Sequence, residues 1–269
     1  MDKSLLTSNL TAERIKKYLL EGKRFDKRKP EDFREIKIET GISKKAEGSA
    51  KITLGKTEIM VGIKMGAGEP YPDSPNKGNL ITTAELLPLS SPRFESGPPK
   101  FPAIELARVI DRGIRESKFI DFEGLCIKEG EKVWNIFVDI YTINDDGNIL
   151  DAAAIGAIIA LKNAKIPKFD EENGKVLYGE WTDKNLPLSK EIPIAITIHK
   201  VGDKFIVDPT REEEDVSEVR VTIGRTDEII SSIQKGNTGT LTDKDFEEIL
   251  KISEKTREKV FKNIDKYIK

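Results

Sequence analysis

The chain has 269 residues, a formal net charge of −2 and a single cysteine. That length buries a substantial core in one large domain or two smaller lobes. The near-zero charge excludes a general pull toward nucleic acid or membrane, so any such contact comes from a local patch. Charged residues make up 34% of the chain, above the roughly one quarter of average soluble proteins, which suits an ion-paired thermophilic surface.

The N-terminal stretch MDKSLLTSNLTAERIKKYLLEG is polar and periodic and lacks the continuous apolar run of a secretory signal. Thr11 is a candidate cap for a helix carrying Ile15, Tyr18 and Leu19 on one side, with Gly22 ending it. FREIKIETG alternates polar and apolar residues as a half-buried strand does. GSAKITLGKTEIMVGIKMG reads as two strands joined by a tight turn at Gly55-Lys56. NLITTAELLPL is a further strand between two Pro/Gly-rich loops, GAGEPYPDSPNKG and SSPRFESGPPK.

FPAIELARVIDRGIRESKF then predicts a helix from about Pro102 to about Lys118. Ala103, Leu106, Ala107, Ile110 and Ile114 share its apolar face, while Arg108, Arg112 and Arg115 share the opposite one. This cationic stripe is either a reader of phosphates or an ordinary solvated face with Asp111 and Glu116 as intrahelical partners. A strand follows in KVWNIFVDIYTIN, then a turn at Asp145-Asp146-Gly147. Asp151 is a candidate cap for DAAAIGAIIALKNA, a helix apolar on nearly every side and therefore enclosed. It is too short to span a bilayer, and a cytoplasmic protein is the natural reading.

A second lobe opens with PIAITIHKVGDKFIVDPT, a hairpin turning at Gly202-Asp203, and continues through the strands VSEVRVTIG and TDEIISSIQKG. A long helix from about Asp243, with Phe246, Ile249, Leu250, Val260, Phe261 and Ile264 at helical spacing, closes the chain. Strands precede helices in each half, which predicts an α+β fold. The expected organisation is an N-terminal helix and arm over 1–31, a first lobe over 32–165, a connecting segment over 166–191, and a second lobe with the C-terminal helix over 192–269.

Local chemistry is sparse. Cys126 and His199 occur once each. They suit a small core residue and a polar strand position better than a nucleophile and its base, and two such residues do not make a zinc site. The run Glu212-Glu213-Glu214-Asp215 reads as a solvated turn rather than a metal site, since adjacent side chains diverge. Gly66-Ala67-Gly68 lacks the following helix of a phosphate loop. No cofactor or metal is expected. Aromatic residues, 7% of the chain, form no ribonucleoprotein stacking motif, so contact with RNA would go through phosphates and be largely independent of sequence.

The order and wording of these elements resemble the RNase PH family of phosphate-dependent 3′ exoribonucleases. RFDKRKPEDFRE resembles the family's Arg-x-Asp-Gly-Arg opening, with Asp26, Arg28 and Arg34 matching and Lys27 where the family prefers glycine. AEGSAKITLGKTEIMVGI resembles its first hairpin through Gly48, Ser49, Gly55 and Thr57. ARVIDRGIR, INDDGNILDAAAIGA and VDPTREEEDVSEVRVTIG resemble its arginine-rich helix, its Asp-Gly turn with a buried helix, and its acidic hairpin. The resemblance covers nearly everything after Phe25. It implies an RNase PH-like fold, of the ribosomal protein S5 domain 2 type, with two sheet-and-helix lobes.

The departures bear on function. Active members carry a Thr-Arg pair after the Asp-Gly turn, whose arginine helps hold the attacking phosphate; Leu150 stands there. They carry a proton-donating aspartate late in the acidic hairpin; counting from Asp208, that position is Arg220. A third family arginine falls on Pro102. Glu214 retains the earlier acidic position. A leucine cannot bind phosphate and an arginine is no acid at neutral pH.

The resemblance therefore implies the non-catalytic subunit of the archaeal exosome. Such a subunit alternates with a catalytic RNase PH-like partner in a heterohexameric ring of three heterodimers, capped by S1-domain proteins and threaded by RNA. The residues expected at RNA or at the partner are Arg112, Arg108 and Arg115, and less strongly Arg93 on its Pro-rich loop. The alternatives are an active phosphorolytic exoribonuclease, and a small-molecule enzyme on a related fold.

Overall fold

Alternating apolar and polar side chains build the first sheet. The computed structural model describes residues 7–268; the first six residues of the N-terminal segment and Lys269 lie outside them. Its first six strands are β1 (Ile36–Thr40), β2 (Gly48–Leu54), β3 (Thr57–Gly68), β4 (Asn79–Glu85), β5 (Cys126–Lys128) and β6 (Lys132–Asn144). They lie in the order β1-β2-β3-β6-β4, with β5 on β6; only β4 and β6 run parallel. On β3 every second residue from Thr57 to Met65 is buried, the signature of a strand with one face on the core. The β2–β3 hairpin turns at Gly55-Lys56, with Gly55 at φ +60°.

Two helices follow strands of this sheet: α2 (Phe101–Glu116) packs on β4, and α3 (Ile149–Lys162) on β2 and β3. The hairpin β7 (Lys165–Asp170) with β8 (Lys175–Asn185) forms a separate two-stranded sheet in the connecting segment, where the sequence pattern predicted no element. It is tied back by the edge-on contact of Phe169 with Trp134, centroids 6.0 Å apart. The second sheet has the order β10-β9-β11-β12, made of β9 (Ile194–Val201), β10 (Lys204–Val207), β11 (Val219–Arg225) and β12 (Ile230–Gly236). The C-terminal helix α5 (Asp243–Ile268) covers β9 and touches α3.

Helix α3 lies between the two sheets, against β2 and β3 on one side and β9 on the other. That position explains a helix without a polar face: all residues from Leu150 to Leu161 are buried. One continuous core consequently runs through both sheets, from Ile38 to Ile268. A smaller cluster joins the N-terminal helix α1 (Asn9–Leu20), through Ile15 and Leu19, to Val201, Ile206 and Val216.

Two helix starts differ from expectation. Ser8, not Thr11, caps α1, its hydroxyl accepting from the Thr11 N–H at 3.2 Å. Both hydroxyls suit a cap, and Ser8 has the extended backbone the position requires. Helix α3 begins two residues before Asp151, at Ile149, with Asn148 in the cap position at φ +58°. Asp151 is instead fully enclosed and accepts from the Thr197 N–H and hydroxyl at 3.2 and 2.6 Å, a partner on β9 that no local pattern reveals.

The tight seam between α3 and β2 yields a test. A Cβ on Gly48 would lie 2.2 Å from the Ala160 carbonyl oxygen and 2.8 Å from the Ala164 Cα, both backbone atoms. Gly48→Ala is expected to cost about 1–3 kcal/mol of stability, the usual range for overpacking. Gly62→Ala on β3, with nothing within 4 Å, serves as the control. Equal denaturation midpoints for the two variants would contradict this view of the seam.

Candidate nucleic-acid interface and acidic pocket

A buried carboxylate organises the region where the family's catalytic residues fall. Asp208, after β10, is fully buried at φ +45°. Arg34 donates to it from its backbone N–H (2.7 Å), Nε (2.9 Å) and Nη2 (2.7 Å), and Arg28 donates from Nη1 (3.0 Å). Asn148 Nδ2 adds a bond at 2.9 Å. The same Arg34 reaches the carbonyls of Asp146 (2.8 Å) and Gly147 (3.1 Å), so one side chain ties the arm to the Asp-Gly turn. Thr57 closes the turn from β3, its hydroxyl donating to Gly147 O at 2.6 Å. Lys27, where the family prefers glycine, has φ +66°. The arm thus needs a left-handed residue there, and the lysine accepts some backbone strain.

The acidic run is not the solvated turn the sequence suggested. It forms a one-turn helix, α4 (Arg211–Asp215), with a Thr210–Glu213 capping box. Glu213 is buried against Arg24, at 2.9 Å to Nε and 2.5 Å to Nη2. Asp215 accepts both Arg93 Nη atoms, at 2.7 and 2.6 Å, and the Thr7 hydroxyl at 2.7 Å. Burial alone would raise the Asp215 carboxyl, but the bonds from Arg93 and Thr7 and the Arg211 charge hold it at about 2. Arg24 and Thr7 come from the N-terminal end of the sequence and Arg93 from more than a hundred residues away, which is why the run looked unpaired. The same geometry revises Arg93: its side chain is only 9% exposed and its fork is spent on Asp215.

The start of α3 is closed in the same way. Glu214 Oε1 accepts the Asn148 N–H at 2.7 Å, and Arg211 Nη1 holds Glu214 Oε2 at 2.7 Å. Leu150, in the first turn, is 9% exposed and belongs to the core. A carboxylate of the chain itself therefore occupies the anion-binding end of this helix. Asp151, one turn in, is raised by burial to about 7 against the hydrogen bonds from Thr197 and Asn148. Arg220 lies on β11 and donates to Glu105 of α2 at 2.6 Å, while Pro102 sits exposed in the first turn of α2.

The three arginines of α2 are all exposed but differ in what holds them. Arg115 is fixed, donating to both oxygens of Asp111 (2.9 and 3.0 Å) and to Leu80 O (3.0 Å), and lying over the Phe122 ring. Arg112 pairs loosely with Glu116 at 3.4 Å. Arg108 has no ion-pair partner among the described residues. The intrahelical pairs that the sequence allowed thus form for two arginines, and exposed pairs of this kind stabilise little. The sequence reading had no signal for Arg24, Asn148, Asp208 or Arg211 as site residues; their partners lie on other elements.

Two sheets sharing a buried helix, with an arginine-bearing helix and an acidic segment at one end, define an RNase PH-like protein. Residues 32–167 match the 3′ exoribonuclease family, domain 1, and residues 191–256 match domain 2 of the same family. The chain belongs to the RNase PH family. It is 48% identical to the exosome complex component Rrp42 of Thermococcus onnurineus over 89% of each chain. It is 40% identical to that of Methanothermobacter thermautotrophicus over 99% of this chain and 98% of the other. Among solved structures it superposes on a chain of the Archaeoglobus fulgidus exosome with RNA bound to the active site. That match has a TM-score of 0.88, 43% identity, and covers 95% of this chain and 98% of that one. No helix of the described residues is long and apolar enough to cross a membrane.

His199 is the single histidine, and Cys126 lies half-buried on a different sheet, on β5. His199 is 2% exposed, its Nδ1 lies 3.1 Å from Ser217 Oγ, and its Nε2 has no hydrogen-bond partner among the described residues. Burial, with Arg220, Arg211 and Arg24 nearby, pushes its pKa down to about 3. The unfolded chain, with a pKa near 6.5, then binds the proton better. The His199 contribution is complete above about pH 6.5 and declines as pH falls toward 3, by up to about 1.4 kcal/mol per pH unit. Asp151 acts in the opposite sense between about pH 4 and 7, because its carboxyl is raised in the fold. Comparing stability against pH for the native chain and His199→Gln isolates the histidine. The native chain is expected to lose more on acidification from pH 6.5 to 4.5, and its imidazole NMR signals should not titrate above pH 5. A folded-state titration near 6.5 would refute this.

Proposed function

We propose that the chain is a non-catalytic subunit of an archaeal exosome ring acting in 3′-to-5′ RNA degradation. It alternates there with a catalytic RNase PH-like subunit in three heterodimers, beneath S1-domain cap proteins, in the cytoplasm. Relatives of up to 48% identity named exosome complex component Rrp42 support the assignment to that complex. The observation that carries the non-catalytic reading is the start of α3. The position matching the family's phosphate-holding arginine is the core residue Leu150, and the Glu214 carboxylate already accepts the Asn148 N–H. Inorganic phosphate would meet a hydrocarbon and a negative charge. The position matching the proton donor, Arg220, is bound to Glu105 and has no acid function.

The subunit's contribution is then geometric and electrostatic. Phosphorolysis depends on positioning and on charge stabilisation. A neighbour that holds the chain of phosphates in register raises the occupancy of the partner's catalytic site without entering the chemistry. The exposed arginines of α2, with Arg112 first, are the groups suited to this role.

Two outcomes are expected. The isolated chain should release no nucleoside diphosphate from oligo(A) with inorganic phosphate, whereas mixing with the catalytic partner should give both activity and a light-scattering mass near six chains. Processive phosphorolysis by the chain alone, free of partner, would restore the reading as an active exoribonuclease. In the assembled ring, Arg112→Glu should weaken RNA binding about tenfold at low salt, similarly for different sequences and less at high salt. An intact Arg112→Glu ring with native RNA affinity would reduce the α2 stripe to a solvated face.

A further inference from the structure

An asparagine side chain is most open to attack by its own backbone when glycine follows it, because no Cβ shields the next peptide nitrogen. Asn173-Gly174 is the single such pair in the sequence. It forms the tip of the β7–β8 hairpin, in the exposed loop 171–174. Gly174 has φ +63°, with nothing within 4 Å of where its Cβ would lie, and its N–H has no hydrogen-bond partner among the described residues. The single Asp-Gly pair, Asp146-Gly147, is open to the same ring closure in principle but is shielded. There the attacking group, the Gly147 N–H, donates to Asp145 Oδ1 at 3.0 Å, and its carbonyl accepts from Thr57 at 2.6 Å. A Cβ on Gly147 would lie 2.5 Å from the Thr210 carbonyl carbon.

One neighbour restrains Asn173. Asp170, the last residue of β7, accepts the Asn173 Nδ2–H at 2.7 Å through Oδ2. Its Oδ1 accepts the N–H groups of Glu172 and Asn173 at 3.0 and 3.1 Å. These bonds, that of the Asn173 side chain first, hold the Asp170 carboxyl below its usual range, so it stays ionised. An amide that donates to a carboxylate is less electrophilic at its carbonyl carbon, and an ionised acid has no proton to give the departing nitrogen.

We propose that Asn173-Gly174 is a site of spontaneous deamidation, restrained by Asp170, whose products loosen the β7–β8 hairpin. The Gly174 nitrogen loses its proton and bonds to Asn173 Cγ. The bond from Cγ to Nδ2 breaks, the side-chain nitrogen takes up a proton and leaves as ammonia, and a succinimide ring closes. Water then opens the ring at one of two bonds. Breaking the bond from the Gly174 nitrogen to Cγ leaves an aspartate at position 173. Breaking the bond to the backbone carbonyl carbon leaves an isoaspartate, with the main chain rerouted through the side chain. Either product sets a carboxylate against Asp170 where an N–H donor stood, beside Glu171 and Glu172, so attraction becomes repulsion. Isoaspartate also lengthens the loop, and loop length sets the register, here Asp170 opposite Lys175. The ring contacts that tie the hairpin to the first lobe, Phe169 with Trp134 and Tyr178 under Lys64, depend on that register.

The test heats the full chain in mildly alkaline water enriched in heavy oxygen, since asparagine is a heat-labile residue. Peptide mass spectrometry locates the incorporated oxygen, and enzymatic methylation detects isoaspartate. Position 173 should gain heavy oxygen before every other asparagine, and Asp146 should yield no isoaspartate. Asn173→Gln should lose the label, because closure then needs a larger, slower-forming ring. Asp170→Ala should speed the conversion about threefold to tenfold, the scale of one net hydrogen bond. In the converted chain, amide hydrogen exchange should quicken in β7 and β8 and stay unchanged in β9 and β11. Asn173→Asp, which carries the charge without the rerouted backbone, should quicken it by a smaller amount. Heavy oxygen spread over several asparagines, or isoaspartate at Asp146, overturns the site. A conversion no faster in Asp170→Ala overturns the restraint, and unchanged hairpin exchange in the converted chain overturns the loosening.

Discussion

Asp208 is the constraint on which this end of the molecule depends. A fully buried carboxylate is tolerable only if its charge and lone pairs are met, and here Arg34, Arg28 and Asn148 meet them. The partners come from two distant parts of the chain: the N-terminal arm supplies the arginines and the residue before α3 supplies the amide. Asp208 itself precedes α4 in the second half of the sequence. One side chain therefore fixes the relation of arm, Asp-Gly turn, buried helix and acidic segment. Removing it would leave Arg28 with Asp26 at 2.7 Å and Arg34 with Asp146 at 3.4 Å as their remaining carboxylate partners in a largely buried setting, a change more costly than losing a surface pair.

Around that hub the side chains are joined by internal ion pairing. Arg24 is held by Glu213, Arg93 by Asp215, and Arg211 by Glu214 and Asp215. Each of these arginines is satisfied by carboxylates of the chain itself. The Glu214 carboxylate against the Asn148 N–H is the clearest case, since an anion belongs at that helix end and the protein provides its own. A site so closely paired is well suited to rigidity.

Periodicity made most of the architecture legible. The β2–β3 hairpin, the strand at Lys132–Asn144, the α2 face and the long C-terminal helix follow from alternation, helical spacing and turn glycines that act within a few residues. The enclosure of α3 was legible because a helix with no polar side has nowhere else to go. What was hidden depends on contacts across the sequence. Asp151 looked like a cap until Thr197 claimed it, and the acidic run looked solvated until Arg24 arrived from the N-terminal arm and Arg93 from the first lobe. The β7–β8 hairpin, mostly exposed, carries no apolar alternation strong enough to announce it. For the candidate interface, spacing placed the three arginines on one face, but only tertiary structure ranks them, because Asp111, Glu116 and Glu105 compete for them.

That ranking follows from where the carboxylates go. A protein with nearly balanced charge can attract RNA only where its acids are otherwise engaged. On α2 the acids are engaged unequally: Asp111 takes Arg115, Glu116 takes Arg112 at longer range, and Glu105 turns to Arg220 on the neighbouring sheet. Among the described residues, Arg108 is left without an ion-pair partner, on the side of α2 beside edge strand β12. Arginine at position 220 has no acid function at neutral pH, and its bond draws Glu105 away from Arg108, so both features of this face trace to a single ion pair.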